Sequence, residues 1–95
     1  MEDIKKLAKF IKDNKLNFEG VGSDLNSNII ILSGYADYIG VNNYKILISA
    51  ITTAYPGKVI SDDLLDETKR VFEFAYKFNY GNWWKKKEAE LMYKF

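Results

Sequence analysis

The stretch from Phe72 to Trp84 constrains this chain most, because its seven aromatic residues in thirteen positions fit two incompatible secondary structures. Phe72, Phe74, Tyr76, Phe78 and Tyr80 alternate with Glu73, Ala75, Lys77 and Asn79. A period of two marks a strand with one buried face. Upstream, Ser61 is followed by Asp62 and Asp63, a capping hydroxyl and two acids that suit the positive end of a helix. Leu64, Thr68, Val71, Ala75 and Phe78 then share one helical face. The well-specified start favours a helix to about residue 78, with a strand from residue 71 as the alternative. On a helix, positions 72, 76 and 80 point to one side and positions 74 and 78 to another. Not all of these rings can then be buried, so some meet solvent or a partner.

The rest of the chain reads as a helix followed by a small sheet. Ile4, Leu7, Ala8 and Ile11 follow the i, i+3, i+4, i+7 template of an amphipathic helix over residues 3–14, with Phe10 beside them. Lys5, Lys6, Lys9, Lys12 and Asp13 take the opposite side. Leu16 and Phe18 alternate with Asn17 and Glu19, which predicts a strand over residues 16–23. Asp24-Leu25-Asn26-Ser27-Asn28 is turn chemistry. The β-branched run Ile29-Ile30-Ile31-Leu32 predicts a buried strand, continuing through Ser33-Gly34-Tyr35, so that residues 16–23 and 28–36 pair as a hairpin. Residues 44–55 stay ambiguous. Tyr44, Leu47, Ile48, Ile51 and Tyr55 fit helical spacing between an Asn43 cap and the Pro56-Gly57 stop, while their Ile, Thr and Tyr content suits a third strand. After the break at Asn79-Tyr80-Gly81-Asn82, residues 83–95 read as a last helix. The expected fold is therefore α+β in one domain of residues 1–95: an N-terminal amphipathic helix, an antiparallel sheet of two or three strands, and C-terminal helices.

Composition excludes several kinds of chemistry. The chain has no cysteine and no histidine. Disulfides, Cys/His zinc sites, thiol nucleophiles and serine–histidine relays are all removed. A metal would have to take oxygen ligands. The content of 47% hydrophobic residues argues against disorder. No segment approaches the roughly 20 apolar residues of a spanning helix, and the acidic opening Met1-Glu2-Asp3 differs from a secretory signal. The expected location is the cytoplasm, with no membrane partner. Net charge is +1, but unevenly spread: residues 1–15 carry +2, residues 16–68 carry −5 and residues 69–95 carry +4.

Several groups of residues are candidates for function, each with an ordinary structural reading beside it. The late aromatics, Tyr76 and Tyr80 among them, are either core or a contact surface. In Trp83-Trp84-Lys85-Lys86-Lys87, two indoles beside three ammonium groups suit phosphate contacts with base stacking, or else form a solvated lysine face with one buried ring. Asp62, Asp63, Asp66 and Glu67 suit a helix N-terminus. They could also hold Mg²⁺ or imitate phosphates toward a basic partner. Gly20-Val21-Gly22-Ser23-Asp24 invites a phosphate-loop reading, but lacks the closing Lys-Ser/Thr and has no helix expected after it. Tyr35, Asp37, Tyr38 and Asn42-Asn43 surround an expected turn and could line a polar pocket.

The order helix, small sheet, helix, the Ser-bearing turn between two short strands, the Asn42-Asn43 turn and the late aromatic helix broken near Gly81-Asn82-Trp83 together resemble the small phage-encoded anti-CRISPR proteins of α-β-β-β-α type. The resemblance covers most of the chain in outline and includes no specific motif. It implies an inhibitor of a host protein or nuclease. Those inhibitors are strongly acidic, whereas here only the middle segment with Asp62, Asp63, Asp66 and Glu67 matches that character. The expected function is a non-enzymatic protein-binding module without cofactor, acting through Asp62, Asp63, Asp66, Glu67, Tyr76, Tyr80, Trp83, Trp84 and Lys85 to Lys87. The alternative is a nucleic-acid or nucleotide binder using Trp83 to Lys87. Self-association is a further way to cover surplus aromatics.

Overall fold

A computed structural model of the chain describes residues 2–20, 22–79, 81 and 82. Among them are four α-helices, α1 (Glu2–Asp13), α2 (Ser23–Tyr38), α3 (Tyr44–Ala54) and α4 (Asp62–Lys77), and no strand. The expected α+β fold with its antiparallel sheet is thus corrected to a helical one. The final helix expected over residues 83–95 lies outside the described residues.

Helix α1 forms where its periodicity places it, burying Leu7, Ala8 and Ile11. It carries Glu2 and Asp3 in its first turn and Lys12 in its last, in line with the helix dipole. Its end closes as a Schellman motif: the Lys15 amide donates to the Lys12 carbonyl at 3.2 Å and the Leu16 amide to the Ile11 carbonyl at 3.0 Å. Lys15 takes the left-handed φ of 53° that glycine usually supplies.

Of the segment expected as a strand over residues 16–23, Ser23 opens α2, while residues 16–20 and Gly22 form an irregular connector. Its alternation is real burial, since Leu16 and Phe18 both enter the core. The backbone, however, finds side-chain partners instead of a ladder. Tyr55 Oη donates to the Leu16 carbonyl at 2.7 Å, Asn28 Nδ2 donates to the Asn17 carbonyl at 2.7 Å, and the Glu19 amide donates to Asn17 Oδ1 at 2.8 Å. With these carbonyls satisfied, no neighbouring strand is needed.

The second correction is larger. The expected turn at residues 24–28 and strand at residues 28–36 together form α2. Leu25, Ile29, Leu32 and Ala36 are buried at helical spacing. The Ile run wraps around one turn, with Ile29 and Leu32 inside and Ile31 exposed. The β preference of three isoleucines is worth little per residue, and a four-residue apolar run has no period of its own. Burial of the longer stripe decides. At its end the Gly40 amide donates to the Asp37 carbonyl at 3.1 Å and the Val41 amide to the Ala36 carbonyl at 2.8 Å, with Gly40 at φ 89°.

The ambiguity at residues 44–55 resolves to helix. Asn43 Oδ1 accepts the Lys45 amide at 3.0 Å, and Leu47, Ala50, Ile51 and Ala54 are buried. The conflict at residues 61–80 resolves in the same way. Ser61 Oγ accepts the Leu64 amide at 3.1 Å, and α4 buries Leu64, Thr68, Val71, Phe72 and Ala75. Helix α1 packs chiefly on α3 and α2 chiefly on α4, with α3 against α4 joining the two pairs. Phe10 of α1 stacks on Tyr35 of α2, ring centroids 4.1 Å apart and nearly parallel. No helix among the described residues is long and apolar enough to cross a membrane.

Candidate functional site

The residues expected to bind a partner divide between the two ends of α4. Asp62 and Asp63 stand exposed in its first turn and Asp66 is exposed one turn on. Glu67 is half-buried and ion-paired with Arg70, whose guanidinium is held above its ordinary pKa by that hydrogen bond and charge. Tyr76 lies near the other end. Thirteen residues separate it from Asp63, or about 20 Å at 1.5 Å per residue. The set is therefore two surfaces. Tyr80, Trp83, Trp84, Lys85, Lys86 and Lys87 lie outside the described residues.

At the C-terminal end, the alternating aromatics separate as a helix demands. Phe72 is 4% exposed, in the core, while Phe74, Tyr76 and Phe78 are 45%, 55% and 57% exposed. The rings pair along the helix: Phe74 and Phe78 have centroids 4.6 Å apart, and Phe72 and Tyr76 6.4 Å apart. The result is a ridge of Phe74 and Phe78 along one side of the end of α4, with Tyr76, beside Phe72, on another side.

At the N-terminal end, Asp63, Asp66 and Glu67 line a groove of about 750 Å³ between the starts of α2 and α4. Its floor is apolar, from Phe18, Leu25 and Leu64, and Val59 stands on its rim, 83% exposed. Glu19 and Lys58 close one side with an ion pair of 2.9 Å. Asp62 is not part of this lining. The acids do not converge on a cation site: among the described residues no group of three or more acidic side chains is placed to hold a metal.

A second groove of about 780 Å³ lies on the other side of the same ion pair. Lys12, Lys15, Tyr55, Pro56 and Gly57 line it, and it shares Phe18, Glu19 and Lys58 with the first. The Lys12 ammonium rests over the Tyr55 ring, 4.6 Å from its centroid. Sequence reasoning missed this face. Its members come from α1, the residue 16–20 connector and the residue 55–59 loop, and Glu19 and Lys58 are too distant along the chain for any spacing rule to join them.

Two further candidates have structural duties. A helix does follow Gly20-Val21-Gly22-Ser23-Asp24, contrary to expectation: Gly22, at φ 89°, is the N-cap of α2 and makes no side-chain cap bond. The facing acids Glu19, Asp63 and Asp66 would repel a phosphate there. In the group around residues 35–43, Tyr35 stacks on Phe10, Asp37 Oδ2 accepts the Gly81 amide at 3.1 Å, and Asn43 caps α3.

Comparison with known proteins finds no matching family model, curated protein or solved structure.

Proposed function

We propose that this chain is a non-enzymatic protein-binding module of the cytoplasm that engages its partner through the aromatic ridge at the end of α4. The observation that carries the reading is the half-exposure of Phe74 and Phe78, one turn apart on one side of α4 with ring centroids 4.6 Å apart. Scattered exposed apolar residues are ordinary, but adjacent aromatic ones mark contact surfaces. Tyrosine and other aromatics also dominate the energetics of such contacts. The lack of histidine and cysteine supports a binding role over an enzymatic one.

Inhibition of a host protein or nuclease is the form that the anti-CRISPR resemblance implies for this binding. The α-β-β-β-α order behind that resemblance is absent from the described residues, so the ridge, and not the outline, supports the proposal. The nucleic-acid alternative rests on Trp83 to Lys87.

The test compares wild-type bait with a Phe74→Ser/Phe78→Ser bait in pull-downs from source-cell lysate, followed by reconstitution with each purified captured protein. A partner that binds wild type at least tenfold more tightly than the double variant supports the ridge. Partners that bind both baits equally contradict it. Titration with single-stranded DNA at two salt concentrations separates the alternative, which predicts salt-dependent binding that is indifferent to Phe74 and Phe78.

A further inference from the structure

The two grooves that meet at the Glu19–Lys58 ion pair carry opposite charge. On one side stand Asp63 and Asp66, on the other Lys12 and Lys15, and none of these four has an ion-pair partner among the described residues. The residue 55–59 loop borders both grooves, with Pro56 and Gly57 exposed at the basic one and Val59 at the acidic one. The face is therefore bipolar, with a neutralised centre and a groove of opposite charge on each side of it.

A two-fold axis maps such a face onto itself with its signs exchanged. Placed through the Glu19–Lys58 bridge, the axis sets the acidic lobe of one copy against the basic lobe of the other, twice over. Two-fold interfaces are isologous, so a patch must complement itself, and the contact closes at two copies. We propose that this bipolar face is the interface of a homodimer, its occupant being a second copy of this chain. Charge complementarity commits the face to that occupant, because each lobe finds its opposite on an identical molecule. The proposal is independent of the aromatic ridge, which lies at the far end of α4.

An interface specified by exposed charge pairs is salt-sensitive, since the Debye length falls from about 10 Å at ~0.1 M to about 3 Å at ~1 M. Sedimentation velocity of the full chain is the test. Wild type is expected at twice the 11.0 kDa chain mass in low salt and at the chain mass in ~1 M salt. Lys12→Glu/Lys15→Glu and Asp63→Lys/Asp66→Lys are each expected to be monomeric in low salt, with helical circular dichroism unchanged. Mixed in equal amounts, the two variants should form a heterodimer, which also shows that both are folded. If either lysine or aspartate variant loses helicity, Lys12→Gln/Lys15→Gln and Asp63→Asn/Asp66→Asn replace them, each expected to weaken dimerisation at least tenfold. A wild-type monomer in low salt overturns the proposal. So does a dimer that survives both lobe variants. If that dimer is lost in Phe74→Ser/Phe78→Ser, it belongs to the ridge at the end of α4.

Discussion

Two hydroxyls sit in the core without a use. Ser33 Oγ on α2 and Thr68 Oγ1 on α4 are fully buried and have no hydrogen-bond partner among the described residues. A buried polar group left unpaired costs on the order of 1–3 kcal/mol, so its removal should stabilise. Thr68→Val and Ser33→Ala are each expected to raise the unfolding free energy by about 1 kcal/mol in urea titrations. A loss of stability in either would mean that its hydroxyl is bonded. Backbone conformation supplies a matched pair of opposite sign. Gly40 has no atom within 4 Å of where a Cβ would sit, yet its φ is 89°. Gly40→Ala should therefore cost about 1 kcal/mol from the left-handed backbone alone. Lys15→Gly, at φ 53°, should gain a similar amount of roughly 1 kcal/mol by the same argument. Thermal melts of the two variants check both signs.

At the scale of elements, legibility followed the strength of the local signal. Helix α1 could be read because one stripe of four apolar positions faces five charged ones. Helix α4 could be read because Ser61, Asp62 and Asp63 specify its start, even against five alternating aromatics. Asn43 marked the start of α3 but could not outweigh the isoleucines that follow. Helix α2 was hidden because Ile30 and Ile31 thicken the apolar run and blur the Leu25, Ile29, Leu32, Ala36 stripe, while Asp24, Asn26, Ser27 and Asn28 suit a turn and a first helical turn equally well. The connector reads as a strand because its alternation reports burial of Leu16 and Phe18, while its hydrogen-bond partners, Tyr55 and Asn28, are remote or on another element. Substitution within the isoleucine run separates the two readings. A strand would put Ile29 and Ile31 on one face, whereas α2 buries Ile29 and exposes Ile31. Ile29→Ala should cost about 2–5 kcal/mol and Ile31→Ala less than about 1 kcal/mol. Similar losses at both positions would restore the strand.

Across the whole molecule, the acidic middle segment and the aromatic stretch were both legible as candidates, but their separation was not. Only the course of α4 shows that the acids and the exposed rings stand apart, from about 10 Å between Glu67 and Phe74 to about 20 Å between Asp63 and Tyr76. The charged face and the apolar ridge therefore sit toward opposite ends of α4. The ends also differ in what surrounds them. The charged face gathers α1, α2, α4 and two loops. At the ridge end, α2 runs close enough to Gly81 that a Cβ there would lie 2.9 Å from the Tyr38 nitrogen. Gly81→Ala should therefore lower the melting temperature by several degrees, by roughly 4–8 °C for each kcal/mol lost in a domain of this size. An unchanged melting temperature would mean that this contact is not formed.

The central claim is that Phe74 and Phe78 form a surface for a partner and are not part of the core. Equilibrium unfolding of alanine variants along α4 tests it most directly, because no partner need be known. Phe72→Ala should cost about 3–5 kcal/mol, as a buried ring does. Phe78→Ala and Tyr76→Ala should each cost less than about 1 kcal/mol, as exposed positions do. A Phe78→Ala loss as large as that of Phe72→Ala would make the ridge part of the core and contradict the proposed function.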